Sequence, residues 1–182
     1  MSLALVHSRA RAGVLAPPVR VEVHLSGGLP ATQIVGLPEA AVRESRDRVR
    51  AAILCAQYEF PARRITVNLA PADLPKDGGR FDLPIALGIL AAAGQLDPQA
   101  LGNYEFLGEL ALTGELRAVD GVLPAALAAA VNSSQLRDFP AINETTLIRS
   151  TNPRSSDSQP RSGLLPLGCA EFAPPPSHLH TV

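Results

Sequence analysis

The fold is most clearly indicated by residues 68–87, which read NLAPADLPKDGGRFDLPIAL. This stretch predicts the end of a strand, a polar loop with two adjacent glycines, and the start of an apolar helix. Such a loop can present backbone N–H groups to an anion or an oxyanion at the N-terminus of the helix. A structural interpretation is simpler: the loop is a tight connection that places Asp82 near the positive end of the helix dipole. The spacing alone favours this structural interpretation.

The predicted strands on either side of this stretch alternate apolar and polar residues. The alternation extends over Val19–Leu25 and Arg64–Leu69, and a period of two is typical of a strand with one buried face. Tyr104–Leu112 predicts a third strand and Leu116–Val119 a short fourth. A hairpin turn at Thr113–Gly114 is expected to join the last two.

Helical periodicity predicts three helices. Pro38–Gln57 has one apolar face, made of Val42, Ser45, Val49, Ala52, Ile53 and Ala56. Asp82–Ala93 is nearly all apolar and is therefore expected to be buried, and Val122–Ala130 starts a third helix. Because helices and strands interleave without regular βαβ alternation, the predicted fold class is an α+β sandwich rather than a doubly wound sheet.

Composition excludes several classes of protein. Of the 182 residues, 46% are hydrophobic, which is enough for a core and excludes a wholly disordered chain. The net charge of −1 gives no global basic field, and 4% aromatic residues offer no stacking platform for single-stranded nucleic acid. Two cysteines cannot form a disulfide framework, and no apolar run reaches the roughly 18 residues of a membrane span. We therefore expect a soluble, cytoplasmic protein.

The composition changes sharply near residue 131. Residues 1–130 contain 25 alanines and 4 serines, whereas residues 131–182 contain 3 alanines and 8 serines. The second range has no sustained hydrophobic periodicity, so we predict a poorly structured tail. One hypothesis is that this tail is aberrant, out-of-frame sequence that follows a truncation.

Three segments carry a family resemblance, in the same order along the chain. They are residues 35–53 (VGLPEAAVRESRDRVRAAI), residues 68–87, and residues 107–117 (LGELALTGELR) with GVLP at 121–124. They resemble the N-terminal domain of the Mg-chelatase-like AAA+ proteins of the ComM/YifB family, over residues 1 to about 130. The resemblance implies the ribosomal protein S5 domain 2-like fold, which the Lon protease domain shares. It also implies that the AAA+ module of that family is missing here.

The likeness to Lon raises the question of peptidase activity, which in Lon depends on a Ser–Lys dyad. The loop formed by Lys76, Asp77, Gly78, Gly79 and Arg80 resembles the segment that leads to Lon's nucleophile, but Arg80 occupies the position of the serine. Lys76 is the only lysine in the chain, and arginine stays protonated and cannot act as the base. We interpret these five residues as a degenerate Lon-like loop and predict no catalytic residue.

Cofactor and metal sites are not predicted either. Gly78-Gly79 is followed by Arg80-Phe81 and not by the Lys-Ser/Thr pair of a phosphate loop, so ATP and Mg²⁺ are expected only for the missing AAA+ module. The four histidines, His7, His24, His178 and His180, form no ligand cluster in the sequence. Cys55 is expected to be a small core residue.

The remaining functional candidate is a basic cluster made of Arg43, Arg46, Arg48, Arg50, Arg63 and Arg64. Arg43, Arg46 and Arg50 recur at helical spacing and share one stripe of the first helix. Acidic residues lie among them, so the residues themselves favour a solvated, salt-bridged surface over phosphate contact. The family resemblance favours DNA, because ComM/YifB-like proteins act as hexameric branch-migration motors in natural transformation.

Three hypotheses follow from these observations. The first is a non-catalytic accessory domain that scaffolds a homo-oligomeric ring and contacts DNA. The second is a truncated, non-functional gene product. The third, which the absence of a Ser–Lys pair opposes, is a degenerate Lon-type peptidase domain.

Overall fold

A computed structural model describes residues 2–132 and 147–149. The described residues form a mixed α+β arrangement, in agreement with the predicted class. The strands are β1 (Ser2–Arg9), β2 (Pro18–Ser26), β3 (Ala31–Val35), β4 (Arg64–Ala70), β5 (Tyr104–Phe106), β6 (Glu109–Leu110), β7 (Leu116–Arg117) and β8 (Leu147–Arg149). The helices are α1 (Ala40–Cys55), α2 (Asp82–Ala92), α3 (Pro98–Leu101) and α4 (Val122–Asn132).

Six of the described strands form one mixed sheet with the order β3-β4-β2-β1-β5-β8. Strand β2 pairs antiparallel with β1 and β4, so that Val21 lies opposite Val6 and Val23 opposite Val67. The pairs β3–β4 and β1–β5 are parallel. A separate antiparallel pair is formed by β6 and β7, which confirms the hairpin predicted at Thr113–Gly114.

The core lies between the main sheet and helices α1 and α2. Helix α2 packs on β1 and β2, and α1 packs on α2. Gly88 permits the close approach of α2 to the sheet, because a Cβ atom there would lie 2.6 Å from Cγ2 of Val23. The buried side chains of α1 are Val42, Ser45, Val49, Ala52 and Ile53, as its periodicity predicts. Among the described residues, no helix has the length and apolar character needed to cross a membrane.

Strands β1 and β3 are absent from the sequence prediction. Strand β1 is central in the sheet, but Leu3 and Leu5 are exposed while Ala4 and Val6 are buried, so that both faces carry apolar residues and no alternation is visible. Strand β3 is only five residues long. Arg9 at the end of β1 is 2% exposed and donates to both carboxylate oxygens of Glu105 on β5 and to a backbone carbonyl.

The third predicted strand is divided in the structure. Tyr104–Leu112 separates into β5 and β6, which belong to different sheets. Between them, Gly108 donates its N–H to the carbonyl of Arg80 and accepts from the N–H of Leu83, both at 3.0 Å. The chain therefore leaves the main sheet because its backbone bonds to the segment around the start of α2.

Helix α4 runs to Asn132 and crosses the predicted domain boundary at residue 130 by two residues. Within the predicted tail, residues 147–149 form β8, which pairs antiparallel with β5. The prediction of a poorly structured tail otherwise lies outside the described residues.

Candidate functional site

Lys76 is buried within the loop that resembles the Lon nucleophile segment. Its Nζ donates to the carbonyl oxygen of Pro71, and its own carbonyl accepts from the N–H of Glu39 at 3.1 Å. Burial lowers the pKa of the Lys76 amine, and the negative charge of Asp73 partly opposes this shift. Lys76 therefore joins its loop to the start of α1, and its amine is bonded to a carbonyl rather than to a serine hydroxyl.

Asp77 follows Lys76 in the loop, and its two carboxylate oxygens are in different environments. Its Oδ2 accepts from Nη2 of Arg11 at 3.0 Å, whereas its Oδ1 is buried and has no hydrogen-bond partner among the described residues. The next residue, Gly78, has φ +69°, a conformation that side chains rarely tolerate. The following Gly79 passes close to Glu109, since a Cβ atom there would lie 2.4 Å from Oε2 of that side chain.

Arg80, at the position that the Lon resemblance assigns to the serine, is 4% exposed. Its Nη2 donates to the carbonyl oxygen of Asp120, while Nη1 is buried without a partner in the described part of the chain. Burial lowers the pKa of the Arg80 guanidinium, and the charge of Asp77 raises it. Because the pKa of arginine starts above about 12, the group stays charged at neutral pH.

A cleft of about 210 Å³ opens beside this loop, and we call it the 77–80 cleft. Three carboxylates and two guanidinium groups line it together with small residues: Arg11, Asp77, Gly78, Gly79, Arg80, Glu109, Ala118, Val119 and Asp120. The structure thus brings four of the five predicted loop residues to one polar cleft, and it places Lys76 in the interior instead.

An ion pair between Arg48 and Asp82 lies at the start of α2, directly after this loop. Arg48 on α1 donates to both carboxylate oxygens of Asp82, the first residue of α2, at 2.7 and 3.1 Å. Asp82 is fully buried and also accepts from the N–H of Leu110 at 3.2 Å. The hydrogen bonds to Asp82 raise the pKa of Arg48 further, against the effect of burial. One carboxylate therefore connects α1, α2 and β6.

Sequence reasoning missed this pair. It assigned Asp82 to the helix dipole and Arg48 to a solvated basic cluster, and the two residues are 34 positions apart. One feature could have indicated it: Asp82 is the only charged residue of α2, and a charge within a buried apolar helix requires a partner.

The predicted arginine stripe is exposed on α1, beside its buried face. Arg46 pairs with the adjacent Asp47 at 3.2 Å, and the guanidinium of Arg50 lies 4.7 Å from the centre of the Phe60 ring. Within residues 2–132, the side chain of Arg43 makes no ion pair. The three side chains are therefore on one accessible surface, with Arg43 unengaged.

Metal-ligating residues do not cluster in the part of the chain that the structure describes, since no group of three or more His, Cys, Asp or Glu residues is placed to hold an ion. His178 and His180 lie outside the described residues. The prediction for Cys55 was wrong: its side chain is exposed, because it lies in the last turn of α1 beyond the buried face.

Comparisons with known proteins confirm the family resemblance. Residues 21–139 match the family model of subunit ChlI of Mg-chelatase. The chain is 63% identical to competence protein ComM of Haemophilus influenzae over 136 residues, which cover 75% of this chain and 27% of that protein. It is 61% identical to the uncharacterized protein YifB of Escherichia coli K12 over 126 residues, 69% of this chain and 25% of that protein.

A more distant relative is the uncharacterized protein Rv2897c of Mycobacterium tuberculosis, which is 44% identical over 129 residues, 71% of this chain and 26% of that protein. The chain therefore spans about a quarter of the length of the curated relatives it matches.

Proposed function

Because this chain belongs to the Mg-chelatase subunit ChlI family, we propose that it acts as a non-catalytic N-terminal accessory domain of a ComM-like AAA+ DNA motor. In this role it scaffolds a homo-oligomeric ring and contacts DNA during branch migration in natural transformation. The observation that carries the proposal is the high identity with a competence protein over most of this chain. The S5 domain 2-like fold is part of the same proposal, and the mixed sheet with α1 and α2 on it is compatible with that fold.

The loop geometry supports a non-catalytic role. The amine of Lys76 donates to a backbone carbonyl, and the position assigned to a nucleophilic serine holds a guanidinium. A dyad needs an unprotonated amine within hydrogen-bond reach of the hydroxyl that it activates. Arg80 carries no hydroxyl, and the amine of Lys76 is bonded to the carbonyl of Pro71 instead.

The 77–80 cleft does not fit ATP. The carboxylates of Asp77, Glu109 and Asp120 line it, and their charges repel a polyphosphate. The loop also lacks the Lys-Ser/Thr pair that holds the phosphates and Mg²⁺ in a phosphate loop. Nucleotide chemistry is therefore assigned to the AAA+ module expected in the longer relatives.

The DNA contact is assigned to the exposed stripe of α1. Within residues 2–132 the side chain of Arg43 makes no ion pair, and the pair between Arg46 and Asp47 is exposed, so that it exchanges readily for a phosphate. Arginine side chains that contact phosphates position a protein on DNA without reading its sequence. We therefore expect weak DNA binding with no sequence preference.

Fluorescence anisotropy with a labelled DNA duplex tests the proposal. The double variant Arg43→Ala/Arg46→Ala should bind more weakly than the wild type on every duplex tested. The control variant Arg20→Ala/Arg117→Ala removes the same charge from two exposed positions outside α1. Equal weakening in both variants would show that net charge, and not the stripe, governs binding. Arg50 is left in place because its contact with Phe60 contributes to packing.

A further inference from the structure

Strand β3 lies at one edge of the main sheet and pairs in parallel with β4 on its inner side. On its outer side, no strand lies beside it in the described part of the chain. Such an edge presents backbone N–H and C=O groups to which another extended chain can bond, and natural proteins often guard it with charged side chains. Residues 25–38 (LSGGLPATQIVGLP) contain no charged residue and no histidine. Charge therefore does not protect this edge from pairing.

Two exposed leucines flank this edge. Leu29 precedes β3 and is 88% exposed, and Leu37 follows it and is 57% exposed. Each lies four residues from Gln33, the middle residue of the strand, whose side chain is also exposed. A partner that covers the whole uncharged segment would remove apolar groups from water at both of its ends.

The side chains of this segment are complementary to those of a second, antiparallel copy of it. In a pair related by a two-fold axis at Gln33, residues at equal distances on either side of Gln33 face each other. The facing pairs are Leu29 with Leu37, Pro30 with Gly36, Ala31 with Val35, and Thr32 with Ile34. A small residue faces a larger one in two of these pairs, and two β-branched residues face each other in a third, which favours close packing between the strands.

We infer that β3 docks against β3 of a second copy of this chain, so that the two main sheets join into one continuous sheet. Ile34 packs partly buried against the core of its own chain, and Thr32 of the second copy covers part of the surface that remains. A two-fold contact closes on a pair of chains, because each copy uses the same surface. The inference therefore rests neither on the proposed ring nor on DNA binding by α1.

A second copy fits this edge better than an unrelated peptide does. Domains that add a peptide strand to a sheet edge select it through pockets for alternate side chains. The 77–80 cleft is not such a pocket, because no residue of β3 lines it. Pairing with a second copy needs no pocket, since the segment supplies both sets of side chains. Because the contact is short and small interfaces are typically weak, we expect a dissociation constant of about 0.1 mM.

Sedimentation velocity of the whole chain without DNA tests this inference at concentrations from about 10 µM to about 1 mM. We expect a monomer at the lowest concentration and a dimer that forms as the concentration rises. A chain that stays monomeric over the whole range would overturn the inference. This measurement needs no substitution, and its failure would leave the DNA contact proposed for α1 untouched.

Two charge variants test the position of the two-fold axis. Gln33→Lys and Gln33→Glu each place like charges opposite each other, so each variant alone should dimerise about tenfold more weakly than the wild type, or worse. An equimolar mixture of the two variants places opposite charges together and should recover an affinity within about threefold of the wild type. No other antiparallel register brings residue 33 of both chains together.

The matched control is Gln99→Lys, which adds the same charge at an exposed position of α3. It should leave the affinity within about twofold of the wild type, because it lies outside the paired segment. If both Gln33 variants dimerise as the wild type does, or if their mixture fails to recover, β3 does not meet β3 and the inference is overturned. Equal weakening by Gln99→Lys would assign the effect to net charge and would overturn it as well.

Discussion

The guanidinium of Arg48 holds both carboxylate oxygens of Asp82, and this contact joins α1 to the first residue of α2. The two partners differ in their access to water: the side chain of Asp82 is fully buried, whereas that of Arg48 is 23% exposed. If Asp82 is removed, Arg48 can turn toward water. If Arg48 is removed, the carboxylate of Asp82 stays buried without its counter-charge.

This asymmetry predicts unequal effects of removing the two partners. Arg48→Met leaves a buried carboxylate unpaired and should lower the free energy of unfolding by about 3–5 kcal/mol. Asp82→Asn leaves Arg48 able to turn toward water, and we expect a smaller loss of about 1–3 kcal/mol. Urea denaturation measures both values.

The control for this comparison is Arg46→Met, which breaks the exposed pair with Asp47 and should change stability by less than ~0.5 kcal/mol. If Arg48→Met proves no more harmful than this control, the buried pair does not hold the two helices together.

Lys76 predicts a pH dependence of stability. Burial lowers its pKa in the folded state below the ordinary value of 10.5, so the unfolded chain binds more protons than the folded chain between the two values. Stability should therefore rise with pH in the alkaline range below about 9.5, where the titration of Tyr58, whose pKa burial raises, does not interfere. The measurement is the difference in unfolding free energy between the wild type and Lys76→Met at several pH values. A difference that does not change with pH would contradict a lysine whose pKa is lowered by burial.

Gly88 predicts a packing effect. In Gly88→Ala the new Cβ would lie 2.6 Å from Cγ2 of Val23, and overpacking of this kind costs about 1–3 kcal/mol. The gain in helix propensity of up to ~1 kcal/mol offsets only part of that cost. Thermal unfolding of a double-mutant cycle with Val23→Ala checks the cause. Because Val23→Ala removes the crowded methyl group, it should cost less stability in the Gly88→Ala background than in the wild type. Purely additive effects would mean that the two residues do not meet.

The purified chain should hydrolyse neither ATP nor protein substrates. Its loop at residues 76–80 has neither the Lys-Ser/Thr pair of a phosphate loop nor a Ser–Lys dyad. Phosphate release and cleavage of labelled casein are the assays. Turnover that survives repurification and disappears in Lys76→Met would contradict the non-catalytic role.

Local periodicity predicts the elements that have one buried face. The buried residues of α1 follow from the spacing of Val42, Val49 and Ala52, and β2 and β4 follow from strict alternation. Strand β1 could not be predicted in this way, since its exposed face also carries leucines. Its position at the centre of the sheet depends on pairing with β2 and β5, which lie at very different distances along the chain.

For the candidate site, too, one part could be predicted from the sequence and another part could not. The exposure of the arginine stripe follows from helix geometry and from the position of the neighbouring buried face. The 77–80 cleft depends on Arg11, Glu109 and Asp120, which only tertiary packing brings to the loop. The unpartnered atoms of Asp77 and Arg80 are likewise a property of that packing, and no spacing within the loop indicates them.

The salt dependence of DNA binding tests the central claim most directly. If the three arginines of the stripe contact phosphates, the logarithm of the binding constant should fall against the logarithm of the salt concentration with a slope of roughly −2 to −3. The variant Arg43→Ala/Arg46→Ala should lose about two units of that slope, and Arg20→Ala/Arg117→Ala should keep it. A wild-type chain that shows no DNA binding at low salt, or a slope that is unchanged in the stripe variant, would contradict the account.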